Sequence, residues 1–352
     1  MAKQFATIPI VDMKVLTAAV GNGREILAAQ LNAALQECGN CYVINHGIPL
    51  PIVKRLQTEC IKYFHLPTEE KQKHHPDMVP QVKHAYTGLH REGFHNIHRA
   101  DVDGDGNGGC ARQTLILYTW PDGTRNEELW PEYIKYISVT YRTKDLLTFS
   151  STVHELSELM QMLLAESLGI PPTSFGDAIN NSYLQVIALH YYPPLQAQTG
   201  TPGSPTTPQG EKLGLAPHLD TTLLSMLLCS EVAGLQVVEN GEWIDVQALE
   251  GALVIQAGVL MQVMSNDKIK AKLHRAMTPV VPRFALVSTT QFPSSMIVEP
   301  LPHLVGDGAP ANYTPFVIGD YLTRRTKLGG AKHDGDTLET FRIDHSTELI
   351  FN

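Results

Sequence analysis

The spacing of apolar residues changes near residue 183, dividing the chain into a helical first half and a strand-rich second half. From Arg24 to Cys38, Ile26, Leu27, Leu31, Ala34 and Leu35 recur at the interval that puts them on one side of a helix, and Asn22 stands where an N-cap belongs. A second helix is expected over 51–64, with Ile52, Val53, Leu56 and Tyr63 on one side and Leu66-Pro67 as its stop. Ile8–Asp12 and Cys41–Asn45 read as short strands. Residues 74–114 have no regular pattern and are rich in histidine and glycine. A long helical region is expected from about 131 to 168, where Pro171-Pro172 ends it.

Beyond Tyr183 the pattern shortens. Val186–Tyr192, Leu223–Cys229, Gly234–Val238, Trp243–Val246, Ala252–Ile255, Lys272–Met277 and Phe284–Thr290 are strand-length apolar runs, several of them separated by turn pairs such as Asn240-Gly241. Many short strands with such punctuation predict a sandwich or jelly roll. Gln196–Gly210, rich in Gly, Pro, Thr and Ser, reads as a surface loop, and a last helix is expected over about 315–327. The fold class is therefore α+β with a mainly β core framed by helices.

Composition narrows the function classes. The chain has 352 residues, 43% hydrophobic and 18% charged, as in ordinary globular proteins. A formal charge of −9 without any lysine or arginine block argues against nucleic acid or an anionic membrane as partner. No secretory h-region and no 18-residue apolar run are visible, and the five cysteines are scattered, so reduced thiols in a soluble, cytoplasmic protein are expected. Nothing in the pattern sets the oligomeric state; a monomer is favoured.

The chemistry concentrates between Pro217 and Ser288. In a strand, residues i and i+2 face the same way, so His218 and Asp220 present an imidazole and a carboxylate together. His274, in a second strand, would complete two histidines and one carboxylate on one side of a metal, a set that leaves coordination positions open and suits non-haem Fe(II). Arg283 follows across the Pro279–Pro282 turn, so the two strands are expected to pair as a hairpin and bring a carboxylate-binding fork beside the metal. Rival motifs are weaker. His75-Pro76-Asp77 has no strand around it. Asp101-x-Asp103-x-Asp105-Gly106 starts like a calcium loop but has Arg112 where the bidentate glutamate belongs. Cys38-x-x-Cys41 has no second pair, and Cys41 opens a buried run; His95-x-x-His98 lies in a loop without partners.

Ile8-Pro-Ile-Val-Asp12, Cys41-Tyr-Val-Ile-Asn-His-Gly-Ile48 and Phe64-His-Leu-Pro-Thr-Glu-Glu-Lys71, followed by His190-Tyr-Tyr-Pro-Pro194, Pro217-His-Leu-Asp220, Gly234-Leu-Gln-Val237, Trp243-Ile-x-Val246 and His274-Arg275, stand in a telling order. In that order and spacing the chain resembles the isopenicillin N synthase-like family of 2-oxoglutarate- and Fe(II)-dependent oxygenases, over nearly its whole length. The resemblance implies a double-stranded β-helix (a cupin-like jelly roll). Its parts would be an N-terminal region (1–120), linking helices (121–180), the jelly-roll core (181–300) and a C-terminal helix and tail (301–352). It implies Fe(II) on His218, Asp220 and His274, with Arg283 and Tyr192 on 2-oxoglutarate, and O2 as the oxidant.

Three positions depart from the family pattern. Arg283-Phe284-Ala285 replaces the usual R-x-S, so a serine hydroxyl is missing. His190 stands where many relatives have asparagine, on the same strand face as Tyr192, and is a candidate substitute donor. Gln256 and Val259 replace an asparagine and an aspartate. The implied activity is oxidation of a C–H bond in a small metabolite, by hydroxylation, desaturation or cyclisation, of the kind found in secondary metabolism. Two alternatives remain: an oxidase of the isopenicillin N synthase type that does not use 2-oxoglutarate, and a non-catalytic binder on the same fold. Gln291, Gln256 and Leu224 are candidate substrate contacts. The Gln196–Gly210 loop, residues 84–112 and the C-terminal helix are candidate pocket walls.

Overall fold

A computed structural model describes residues 5–17, 21–75, 93–97, 112–120, 130–131, 134, 145–179, 183–194, 207, 210–229, 231–306, 308–327 and 334–345. Its strands are β1 (Ile10–Asp12), β2 (Asn40–Ile44), β3 (Gly93–Ile97), β4 (Arg112–Trp120), β5 (Leu184–Tyr192), β6 (Leu213–His218), β7 (Leu224–Cys229), β8 (Leu235–Glu239), β9 (Glu242–Asp245), β10 (Leu253–Ala257), β11 (His274–Met277), β12 (Arg283–Gln291), β13 (Ile297–Val298) and β14 (Phe316–Val317). Eight form one sheet in the order β1-β2-β10-β7-β12-β5-β4-β3, four form a second in the order β6-β11-β8-β9, and β13 pairs with β14.

Helices cover the outer face of the large sheet. Leu27, Leu31 and Leu35 of the Gly23–Cys38 helix and Phe149, Val153 and Leu163 of the Asp145–Ser167 helix join one core with Ile187, Leu189, Phe284 and Leu286. Each such side chain contributes roughly 1.5–3 kcal/mol on leaving water. The first helix stops at Gly39, whose φ of 66° is left-handed and whose N–H returns to the Leu35 carbonyl at 3.0 Å. Asn22 occupies the N-cap position but makes no side-chain cap there. β5 is buried along nearly its whole length, because helices lie on one face and the second sheet on the other. A strand buried on both faces reads as a continuous apolar run, as Leu184–Tyr192 does.

The topology corrects the expected hairpin. β11 already has β6 and β8 as neighbours, while β12 lies between β5 and β7, so His274 and Arg283 belong to opposite sheets. The Pro279–Pro282 turn, with Val280 and Val281 exposed, carries the chain from one sheet to the other. The pattern also missed β3 within the stretch taken as irregular, β4, which begins at the end of that stretch and runs on to Trp120, and the helix Val259–Met264 after β10. No helix among the described residues is long and apolar enough to cross a membrane. Two sheets facing each other, one under helices, form the expected double-stranded β-helix.

Candidate metal centre

β6 ends at His218, and its register partner on β11 is His274. Directly opposed residues on neighbouring strands bring their side chains together, and the two imidazole centroids lie 4.1 Å apart. Asp220 is not on the strand, as the i/i+2 argument expected; it lies two residues past the end of β6, in the turn toward β7. Its loop is pinned from below. Val259 N–H donates to the Asp220 carbonyl at 2.8 Å, and Leu260 N–H to the Thr222 carbonyl at 3.2 Å. Gly258 permits this approach, since a Cβ there would stand 2.4 Å from the Thr222 oxygen and 2.7 Å from that of Asp220.

The hydrogen bonds decide which ring nitrogens can bind a metal. His218 Nδ1 lies 2.9 Å from the Ala216 carbonyl, and His274 Nδ1 lies 3.0 Å from that of Lys272. A carbonyl only accepts, so both Nδ1 atoms carry the proton and both Nε2 lone pairs point elsewhere. They point at Asp220 Oδ1, 3.5 Å from His218 Nε2 and 3.8 Å from His274 Nε2. The three ligand atoms lie within 4.8 Å of one another, and no other group of this kind occurs among the described residues.

Electrostatics favours the same state. Burial, with the His218 ring alongside, pushes the His274 pKa down to about 4, so this ring is neutral at physiological pH. Burial raises the Asp220 carboxyl, yet the group is held well below the usual carboxylate range, with the Ser225 hydroxyl donating to it, so it stands ionised. Two neutral nitrogens and one carboxylate oxygen, converging without a thiolate, fit Fe(II) with positions left for other ligands.

The triad opens on a cavity of about 100 Å³ between the sheets. Alternate residues of β12 (Arg283, Ala285, Val287, Thr289 and Gln291) line it, as do Ala188, His190 and Tyr192 of β5. Arg283 is opposite Tyr192 in register, and Ala285 is opposite His190. The Arg283 guanidinium is buried 4.8 Å over the Tyr192 ring. Gly214 leaves room for that ring, since a Cβ there would lie 2.7 Å from it. Thr114, opposite His190 on β4, places its hydroxyl 2.9 Å from His190 Nδ1 and accepts from Arg112 Nε at 3.2 Å.

The remaining candidates divide. Gln291 lines the cavity, but Leu224 and Gln256 do not. Leu224 faces the opposite side of β7 from Leu227 and borders a separate space of about 20 Å³ with His154 and Tyr183. Gln256 is fully buried beside Ser225 and Asn40, and its amide has no hydrogen-bond partner among the described residues. Cys41 is a core thiol that burial pushes up to about 12. Pro76, Asp77, His98, Asp101–Gly106 and nearly all of Gln196–Gly210 lie outside the described residues; His95 is on β3.

Sequence reasoning missed Arg325, which lines the cavity from the helix Ile318–Lys327 and donates to Thr221 Oγ1 at 3.1 Å. Arg324, Arg325 and Lys327 together read as ordinary cations of a helix C-terminus, and nothing local marks the one that turns inward.

Comparison with known proteins agrees with this geometry. Residues 183–291 match the model of the 2OG-Fe(II) oxygenase superfamily, and residues 8–133 match that of the non-haem dioxygenase in morphine synthesis N-terminal region. Among curated proteins, the chain is 29% identical over 318 residues to 1-aminocyclopropane-1-carboxylate oxidase homolog 7 of Arabidopsis thaliana, covering 89% of this chain and 81% of that protein. It is 26% identical over 316 residues to mugineic-acid 3-dioxygenase of Hordeum vulgare, covering 90% and 82%. Among solved structures, JOX2 in complex with 2OG, Fe and JA superposes with a TM-score of 0.73 at 22% identity, over 94% of this chain and 89% of that one. Neurospora crassa T7H with alpha-KG and thymine gives 0.71 at 19%, over 91% and 96%. A jelly roll with a two-histidine, one-carboxylate cluster between its sheets, in a chain whose N-terminal region and core each match a dioxygenase model, belongs to the 2OG-Fe(II) oxygenase superfamily.

Proposed function

We propose that this chain is a non-haem Fe(II) enzyme that couples decarboxylation of 2-oxoglutarate to oxidation of a C–H bond in a small metabolite. His218, Asp220 and His274 hold the metal, and Arg283, Tyr192 and His190 hold the cosubstrate. When bound, Fe(II) and 2-oxoglutarate would supply the oxidising chemistry: one atom of dioxygen enters the succinate formed with CO2, and the other ends in the hydroxylated substrate or, in a desaturation or cyclisation, in water. The chain's own part is to bind, orient and keep water out. The observation that carries the reading is the shared orientation of the two histidines, whose Nδ1–H groups are tied to their own backbone so that both Nε2 atoms meet Asp220 at the cavity wall.

Arg283 lies in the same cavity, and its planar fork fits the distal carboxylate of the cosubstrate with two parallel hydrogen bonds. The hydroxyl that Ala285 lacks is replaced from the facing strand. Arg112 donates into the Thr114 oxygen, the Thr114 O–H donates to His190 Nδ1, and the ring proton of His190 stands on Nε2 as the substitute donor. The net charge of −9 supports an enzyme that handles a diffusing small molecule and not nucleic acid or a membrane, and the odd, scattered set of cysteines supports a cytoplasmic one. The test is anaerobic titration of the Fe(II) protein with 2-oxoglutarate. A visible metal-to-ligand charge-transfer band and, on admitting air with substrate, succinate are expected. No band and no succinate refute the reading, and oxygen uptake that needs no 2-oxoglutarate would put the oxidase alternative in its place.

A further inference from the structure

The inner face of the large sheet carries a short polar row behind the metal centre. Asn40 on β2 is the register partner of Gln256 on β10, and Gln256 is in turn opposite Ser225 on β7. All three point between the sheets, because the residues two positions along each strand, Tyr42, Val254 and Leu227, pack together in the inter-sheet core. Asn40, Gln256 and Ser225 are each 0% exposed.

One end of the row reaches the metal ligands. The Ser225 hydroxyl donates to the Asp220 carboxylate, so in the 3.2 Å contact between Ser225 Oγ and Thr222 Oγ1 the donor is Thr222. A hydroxyl oxygen accepts twice, and among the described residues Ser225 keeps its second acceptor position. At the other end, the Asn40 and Gln256 amides have no hydrogen-bond partner at nitrogen or at oxygen among the described residues, although the two side chains are opposite each other. Exchanging O and N in either amide changes nothing, since both atoms are unpaired. Four such atoms in adjacent buried side chains would cost a large part of a domain's net stability. A cation would meet the NH2 groups and an anion the carbonyls, whereas water donates and accepts, and an internal water ordinarily makes about three such bonds.

We propose that internal waters on either side of Gln256 link its amide to Asn40 and to the remaining acceptor position of Ser225, which makes Gln256 a positioning residue for the Asp220 carboxylate. Buried hydrogen bonds in series strengthen one another. A Ser225 hydroxyl oriented from behind fixes how the carboxylate faces the metal. This rests on the reading of Asp220 as a metal ligand and is independent of 2-oxoglutarate.

The test uses the full chain. Asn40→Leu and Gln256→Leu should each lower Tm by about 2 °C or more, and together by less than the sum. Amides that were merely buried and unpaired would give the opposite sign, since leucine relieves them. Gln256→Met takes the place of a leucine variant that does not fold. For the positioning role, Co(II) replaces Fe(II), because its visible bands depend on ligand geometry. Ser225→Ala should shift those bands and weaken Co(II) binding about tenfold. Gln256→Leu should move the same bands in the same direction, weaken binding about threefold, and add nothing in the Ser225→Ala background. Gln256→Asn, which keeps an amide, should retain the wild-type spectrum. A wild-type crystal structure at a resolution that shows ordered water should have water against both amides. The proposal is overturned by amides bonded directly to protein there, by leucine variants as stable as the wild type or more so, by Co(II) bands indifferent to Gln256→Leu, or by Gln256→Asn behaving as the leucine variant. A wild-type protein without Co(II) bands removes the metal reading and the positioning role with it, and the Tm series then decides the waters alone.

Discussion

Replacing His190 by leucine removes both ring nitrogens from the row that joins Thr114, His190 and Ala285 across β4, β5 and β12. A hydrogen bond to a charged acceptor contributes about 1.5–3 kcal/mol. At about 1.4 kcal/mol per factor of ten, His190→Leu should raise the Kd for 2-oxoglutarate roughly tenfold to a hundredfold. Ala285 is 2% exposed and opposite His190 in register, so Ala285→Ser restores a hydroxyl in that same row. If His190 already fills the role, the serine should tighten binding by less than about threefold in the wild type and by about tenfold in the His190→Leu background, the non-additivity expected of groups sharing one partner. Thr114→Val, which breaks the relay to His190 Nδ1, should fall between. The assay is the anaerobic charge-transfer titration, run on all four combinations of the first two changes. An equal gain from Ala285→Ser in both backgrounds, or an unchanged Kd in His190→Leu, would show that His190 does not stand in for the missing serine.

Two further outcomes follow from the same geometry. Gly258→Ala places a methyl group against the Asp220 and Thr222 carbonyls, which are backbone and cannot swing aside, so the carboxylate should be displaced and Fe(II) binding weakened by at least about tenfold. Metal content after gel filtration reads this, and full occupancy would count against the pinned-loop account. His46 bears on stability. Its Nδ1 accepts from Ile48 N–H at 3.2 Å and its Nε2 lies 2.7 Å from the Gly251 carbonyl, so the ring is held neutral, and burial outweighs that carbonyl to lower its pKa. Above the ordinary histidine pKa of about 6.5 both states are neutral, whereas below it the unfolded chain takes up a proton that the folded one resists. Stability should therefore fall as pH drops from about 7 toward 5, and less steeply in His46→Gln; parallel Tm–pH curves would remove His46 from the account.

The helices over 24–38 and 51–64 were readable to within a residue, because each buries one side and the buried side recurs at the helical interval. The strands of the second half were readable as apolar runs between turn residues, and the three candidate ligands could be named from residue type and strand context. The details that tertiary structure decided are of another kind. β4 is buried on both faces of its described part apart from Gln113, so it shows none of the alternation by which a strand is recognised, and no strand was expected there. For the same reason the inward face of β7 could not be chosen, and Leu224 turned away from the cavity.

The chain by itself determined which residues have ligand chemistry and roughly which local element each occupies, since both depend on neighbours a few positions away. Only the tertiary structure decided that His274 and Arg283 come from opposite sheets, that Asp220 reaches the site from a turn held by residues 258–260, and that Arg325 enters the cavity from a helix more than a hundred residues beyond Thr221. Local periodicity records that a side chain is buried. Which partner buries it depends on strand pairing and on helix packing between distant segments, and no local pattern encodes that choice.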